Sequence, residues 1–180
     1  HAICTCAAEP ASGGRAAAHP AGPRGGISVR GQVVSLLRAA RSTDAGAVGG
    51  ILSEFIDTTD WLPRIYTRAE DIAHAGALIA RGWVTVATRE GRVQGFAACD
   101  GSDLCALYVA AGMRGQGIGT ALIAQLKQTE PALSLWTFQQ NARAQAFYRA
   151  QGFVEVARTD GATNDEGLPD IRFQWQREVA

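Results

Sequence analysis

Two periods of apolar residues take turns along this chain from about residue 33 onward. Val33 to Ala39 is an apolar run with the length of a short strand. Ser42, Thr43 and Asp44 follow with side chains that accept from the first free amides of a helix, predicting one through about Ile56. Pro63 interrupts the next stretch. Thr67 and Glu70 then form a capping-box pattern for a second helix ending near Arg81. Trp83–Thr88 and Val93–Cys99 read as strands joined by the tight turn Arg89-Glu90-Gly91-Arg92. Asp100-Gly101-Ser102-Asp103 turns the chain again into a strand over Leu104–Val109. Ile118, Leu122 and Leu126 recur at fourfold spacing and give a helix one apolar stripe, with Pro131 to end it. Leu133–Phe138 is a strand, and Asn141–Gln151 a helix closed by Gly152. Phe153–Arg158 is another strand. In the last one Ile171, Phe173 and Trp175 alternate with Arg172, Gln174 and Gln176.

The order is therefore β-α-α-β-β-β-α-β-α-β-β. Three short-linked strands followed by strand–helix alternation imply an α/β domain with a mixed sheet and helices on both faces. One domain over residues 27–180 accounts for all of these elements, with no internal repeat. Residues 1–26 are rich in Ala, Gly and Pro and hold one large aliphatic residue, Ile3, so they are expected to form a flexible extension.

Composition narrows the functions available. The chain has 180 residues, with 17 basic and 17 acidic side chains and a formal net charge of zero. Such a balance makes no global electrostatic case for nucleic acid or an anionic membrane. No apolar run approaches the ~18–20 residues of a membrane span. Cys4 and Cys6 lack the spacing and the second pair of a zinc site, and His1, His19 and His74 do not complete one, so no metal is expected. Cys99 and Cys105 flank a turn within apolar strands. Buried thiols are the expectation there, with a hairpin disulfide left open and disfavoured in a cytosolic setting.

The chemistry concentrates in residues 107–119, Leu-Tyr-Val-Ala-Ala-Gly-Met-Arg-Gly-Gln-Gly-Ile-Gly. A strand ends, a glycine-dense turn follows, and a helix begins. Amides at a helix N-terminus lack internal partners and carry the positive end of the dipole, which suits phosphate. Gly115, Gly117 and Gly119 let a ligand approach the backbone, and Arg114 brings a forked cation to the same anion. A Walker loop is excluded because no lysine follows the glycines, and a dinucleotide fingerprint because the spacing is Gly-x-Gly-x-Gly beyond mid-chain. Arg114-Gly-x-Gly-x-Gly119 resembles the coenzyme A pyrophosphate loop of the GCN5-related N-acetyltransferases (the GNAT family). A second stretch is similar to that family's Asn-x(n)-Phe-Tyr-x-x-x-Gly-Phe segment: Asn141 through Phe147-Tyr148, then Gln151-Gly152-Phe153. The resemblance runs from about residue 33 to 177.

The resemblance implies the acyl-CoA N-acyltransferase fold and direct transfer of an acetyl group from acetyl-CoA to an amine of a small molecule, peptide or protein. It implies a cytoplasmic enzyme and leaves homodimerisation open. Carried over residue by residue, it assigns the pantetheine arm to the backbone of Leu107, Tyr108 and Val109, and an oxyanion-stabilising N–H to Val109. The pyrophosphate falls to Arg114, Gly115, Gln116, Gly117, Ile118, Gly119 and Thr120. Two neighbouring parallel strands are expected to splay at this point. Tyr148 takes the place of the general acid, its phenol being protonated at neutral pH with an ordinary pKa of about 10; a core-edge role is the alternative. Asn141 would bond the pantetheine or cap its helix. Where many members carry a carboxylate, two positions before Leu107, this chain has Cys105. No base is therefore assigned: Asp103 lies nearby but can serve the turn alone, and a water chain, a tyrosine such as Tyr108 or bulk solvent could take the proton. That departure keeps a second reading in view, a non-catalytic acyl-CoA sensor on the same fold. Trp61, Arg64 and Tyr66 would line an acceptor pocket or cover the core. The acidic segment holding Asn164, Asp165, Glu166 and Asp170 would attract a cationic amine or simply be solvated.

Overall fold

A computed structural model describes residues 35–178. Seven strands and four helices follow in the expected order: β1 Leu36–Ala39, α1 Ala45–Asp57, α2 Arg68–Ala80, β2 Val84–Arg89, β3 Arg92–Asp100, β4 Asp103–Val109, α3 Ile118–Thr129, β5 Ala132–Phe138, α4 Ala142–Ala150, β6 Val154–Thr159 and β7 Asp170–Gln176. The first strand is shorter than expected: Val33 and Val34, like the extension at residues 1–26, lie outside the described residues. Ser42–Asp44 form a 3-10 turn ahead of α1 rather than its first turn. Thr67 caps α2 as its sequence suggests, with its side chain taking the Glu70 amide and Glu70 reaching back to the Thr67 amide at 2.7 Å.

All seven strands form one sheet in the order β1-β2-β3-β4-β5-β7-β6. The first four make an antiparallel meander, α3 carries the chain across to β5 parallel to β4, and β7 inserts antiparallel between β5 and β6. Crossover α3 and α4 must cover one face, leaving α1 and α2 for the other. The core divides accordingly. Val48, Ile51, Leu52 and Leu78 pack with Val86, Phe96 and Tyr108 on one side. Ile118, Leu122 and Ile123 pack with Leu133, Leu135, Tyr148, Ile171 and Phe173 on the other. Tyr108 and Leu107, neighbours on β4, thus look to opposite faces, as strand alternation requires. Among the described residues no helix is long and apolar enough to cross a membrane.

Candidate functional site

The site begins where the sheet comes apart. β4 and β5 lie side by side but pair only at Asp103 and Ser134. That end is fastened by the Ser134 amide donating to Ser102 O at 2.8 Å and by its hydroxyl bonding the Asp103 carboxylate. From there to Val109 and Phe138 the strands diverge and leave a wedge. The Ala110 amide donates to Gln94 O of β3 at 2.9 Å. By the two-residue alternation of an antiparallel ladder, Tyr108 and Ala106 also turn their backbone groups to β3. Leu107 and Val109 turn theirs into the gap. The Val109 carbonyl there accepts from Arg114 Nε at 3.1 Å.

Beyond Val109 the chain makes a 3-10 turn over Ala111–Met113 and enters the glycine segment. Gly117 caps α3 at φ 81°, a left-handed conformation that a side chain would strain. The first ladder bond runs from the Ala121 amide to Gly117 O at 2.9 Å, so the amides of Ile118, Gly119 and Thr120 have no partner within the helix. Two of the other three helices answer that need with side chains, Thr67 on α2 and Asn141 on α4, whereas α3, like α1, receives no side-chain cap. Its N-terminus therefore keeps its donors and its positive dipole end for a ligand.

A cleft of about 450 Å³ opens here between α3 and α4 and reaches the wedge. Leu107, Tyr108, Val109, Arg114, Gly115, Gly117, Ile118, Gly119, Thr120, Asn141 and Tyr148 all line it. Gln116, the remaining candidate, does not; its amide nitrogen donates to Gly112 O and its oxygen accepts from Arg89, each at 3.2 Å, away from the cleft. The cleft adds residues that the sequence reading missed: Phe55, Met113, Thr137, Arg143 and Phe147 among them. Arg143 had a local signal, a cation in the first turn of a helix beside Asn141. Phe55 and Thr137 had none, since folding alone brings them there. The lining contains no acidic residue, and neither Arg114 nor Arg143 has an ion-pair partner among the described residues. Such a surface suits a polyanion with an apolar arm.

Asn141 caps α4 by accepting the Ala144 amide at 3.0 Å. One face of α4 then presents Tyr148, 5% exposed, with ring contacts to Phe147, Phe153 and Phe173. Burial pushes its phenol pKa well up, so the proton is retained across the physiological range.

On the opposite face Tyr108 packs edge-on to Phe55, ring centroids 5.1 Å apart. Its phenol pKa is raised by burial above all, and further by Tyr148, Glu166 and Asp71. Cys105 is buried and its Sγ contacts Asp103 O at 3.5 Å. Asp103 itself is held at the closed end of the wedge by Ser134. Trp61 lies edge-on against Phe138. Arg64 pairs with Asp57 at 2.5 Å and with the fully buried Asp71 at 3.0 Å, and also donates to Ser53 O. Both therefore cover the core beneath the α1–α2 connection. Tyr66 instead reaches across to donate to Asp165 at 2.9 Å. No group of three or more His, Cys, Asp or Glu is placed to hold a metal among the described residues.

Comparison with known proteins agrees with this geometry. Residues 80–155 match the model of the acetyltransferase (GNAT) domain. The peptidyl-lysine N-acetyltransferase YjaB of Escherichia coli is 30% identical over 139 residues, spanning 76% of this chain and 92% of that protein. The solution structure of apo YjaB superposes with a TM-score of 0.68 at 24% identity, covering 79% of this chain and 97% of that one. The structure of yncA from Salmonella typhimurium with its cofactor acetyl-CoA gives 0.64 at 22% identity, covering 81% and 96%.

Proposed function

We propose a lysine ε-amine of a peptide or protein as the acceptor, on the premise that the chain belongs to the GCN5-related N-acetyltransferase family and transfers an acetyl group from acetyl-CoA to an amine. The observation that carries the choice is the 30% identity, over 92% of that protein's length and 76% of this chain, to an enzyme named for peptidyl-lysine. The site's charge supports it. On the α1–α2 face Arg64 and Arg68 are both tied to Asp57, so no unpaired arginine of that connection opposes an incoming ammonium. Asp165 and Glu166 of the β6–β7 loop stand across from them.

In this reading the free amides of Ile118, Gly119 and Thr120, with Arg114, hold the pyrophosphate, and Arg143 faces it from α4. Leu107 and Val109 offer their gap-facing backbone groups to the pantetheine arm, which Asn141 steadies from the other wall. The wedge admits the thioester to the α1–α2 face, and the Val109 N–H polarises its carbonyl. One such donor is worth about 3–4 kcal/mol of barrier. The amine enters from the opposite face, past Phe55 and Tyr108. As the C–N bond forms and the C–S bond breaks, Tyr148 gives its proton to the departing sulfur. Its raised pKa keeps that proton in place until a thiolate appears beside it.

Thiol release from acetyl-CoA, measured against lysine peptides and against the same peptides with blocked ε-amines, tests the acceptor. Release is expected only where an ε-amine is available. Turnover confined to small-molecule amines, or to peptide α-amines, overturns the reading.

A further inference from the structure

We propose that Glu166 is the group that takes the proton from the acceptor ammonium, supplying from the β6–β7 loop the carboxylate that β4 lacks at Cys105. The proposal rests on the acetyl-transfer reading above and concerns the same site.

The loop over residues 160–169 is held in one shape. Gly161, at φ 84°, lets the loop's ends touch: a Cβ there would lie 2.3 Å from the carbonyl of Leu168. Asn164 closes the turn, its side-chain nitrogen donating to Leu168 O at 2.8 Å and its oxygen accepting the Leu168 amide at 3.2 Å. Leu168 then packs against Leu62, Trp61 and Phe138. Phe138 is the last residue of β5, so the loop is seated at the open end of the wedge. Tyr66 pins the next corner by donating to Asp165 at 2.9 Å. Glu166 follows, half-buried, close enough to the Tyr108 phenol for its charge to help hold that phenol's proton. Tyr108 lines the cleft.

The other carboxylates near the wedge are already committed. Asp103 is bound by Ser134, Glu54 takes the Ala111 amide at 2.9 Å, and Asp71 is held by Arg64 and Ser53. Asp165 is bound by Tyr66. Glu166 accepts from its own backbone amide but forms no ion pair among the described residues, so part of its carboxylate remains open to a cation. Burial raises its pKa above the ordinary glutamate value against the opposing pull of its own backbone amide, and the neighbouring Asp165 adds a smaller push upward. Among the described residues Tyr66 and Tyr108 also face it, and both stay protonated at neutral pH. A carboxylate moved upward toward neutral pH is a better proton acceptor for an amine than an ordinary one.

The ammonium gives one proton to Glu166, and the freed lone pair forms the C–N bond. The C–S electron pair leaves with sulfur, which takes the Tyr148 proton. The second N–H proton returns to Tyr148 through solvent, and Glu166 releases its own to bulk water.

The test uses the full chain and whichever amine the wild type acetylates, so that failure of the lysine assignment does not hide failure here. Glu166→Gln is expected to lower kcat/KM on the order of 10²–10³ at pH 7, with acetyl-CoA affinity within twofold of wild type. The deficit should shrink steadily as pH approaches that of the free amine, because solution then supplies the deprotonated acceptor. Glu166→Asp should recover part of the rate. A pH-independent loss would mark a merely structural role and overturn the proposal, as would activity within threefold of wild type with an unchanged pH profile.

Discussion

The two sides of the wedge are built from different materials. Toward α3 and α4 the cleft is made of backbone amides, glycines and two arginines without acidic partners, on elements that α3 and α4 anchor into the core. Toward α1, α2 and the β6–β7 loop it is made of side chains that bind one another: Arg64 to Asp57 and Asp71, Arg68 to Asp57, Tyr66 to Asp165. Backbone donors recognise any diphosphate and need little from neighbouring sequence. A network of side chains can be rewired by single substitutions, so under the proposed function it is the side on which acceptor preference is free to change. The difference is that between a constant co-substrate and a variable one.

Four experiments put this contrast to the test. The largest expected effect is on chemistry between the two sides. Tyr148→Phe should reduce kcat on the order of 10²–10³-fold while acetyl-CoA binding stays near wild type, as steady-state kinetics with calorimetry will show. Equal losses in both would assign Tyr148 to packing, for which its three ring contacts already equip it. Next comes Arg64→Met on the acceptor side. It strands Asp71, which is 0% exposed and has one oxygen without a hydrogen-bond partner even in the intact protein. Removing one member of a buried pair costs about 3–5 kcal/mol. The partial exposure of Arg64 argues for the lower figure, read as a drop in thermal midpoint. Adding Asp71→Asn should restore part of it, and no restoration would mean that the charge pair is not the cause. Arg114→Ala, on the cofactor side, should leave the thermal midpoint alone and weaken acetyl-CoA binding about 10–100-fold, the worth of a charge-assisted contact to an anion. Destabilisation comparable to that of Arg64→Met would erase the proposed distinction.

This contrast also decides what the sequence could reveal. The cofactor side is contiguous: residues 107–120 carry strand, turn and helix start, and 141–148 lie on one helix, so eleven of the twelve candidates that the two motifs suggested line one cleft. Gln116 does not line it because a motif position specifies the backbone, while its side chain bonds Gly112 and Arg89 on the outer surface. The acceptor side draws on residues far apart in the chain. Tyr66 and Asp165, 99 positions apart, meet only because β7 slots between β5 and β6 and swings its loop over the end of β5. No local periodicity encodes that insertion; alternation in β7 says that one face is buried, not which strands flank it. Arg64 likewise looked equally suited to a pocket or a cover until the fold supplied Asp71 beneath it.

The smallest expected effect is a null result with a physical cause, and it tests whether the cofactor side exposes anything to its own chemistry. Lys127 is the only lysine in the chain. It sits on the rear of α3, its ammonium donating to Gln151 O and lying 4.5 Å from the Trp175 ring and 5.2 Å from Phe153. Burial lowers its pKa, which on an exposed amine would raise the nucleophilic fraction. Two ring faces and a carbonyl nevertheless crowd the ammonium and hinder the approach of an acyl donor. Prolonged incubation with acetyl-CoA should therefore leave Lys127 unmodified in a digest of the native enzyme. Trp175→Ala, which opens one wall of that enclosure, should allow the mass of one acetyl group to appear on the peptide that contains it. Modification of Lys127 in the wild type at the rate of an acceptor lysine would show that the enclosure opens readily and that the α3 side is less rigid than the contrast requires.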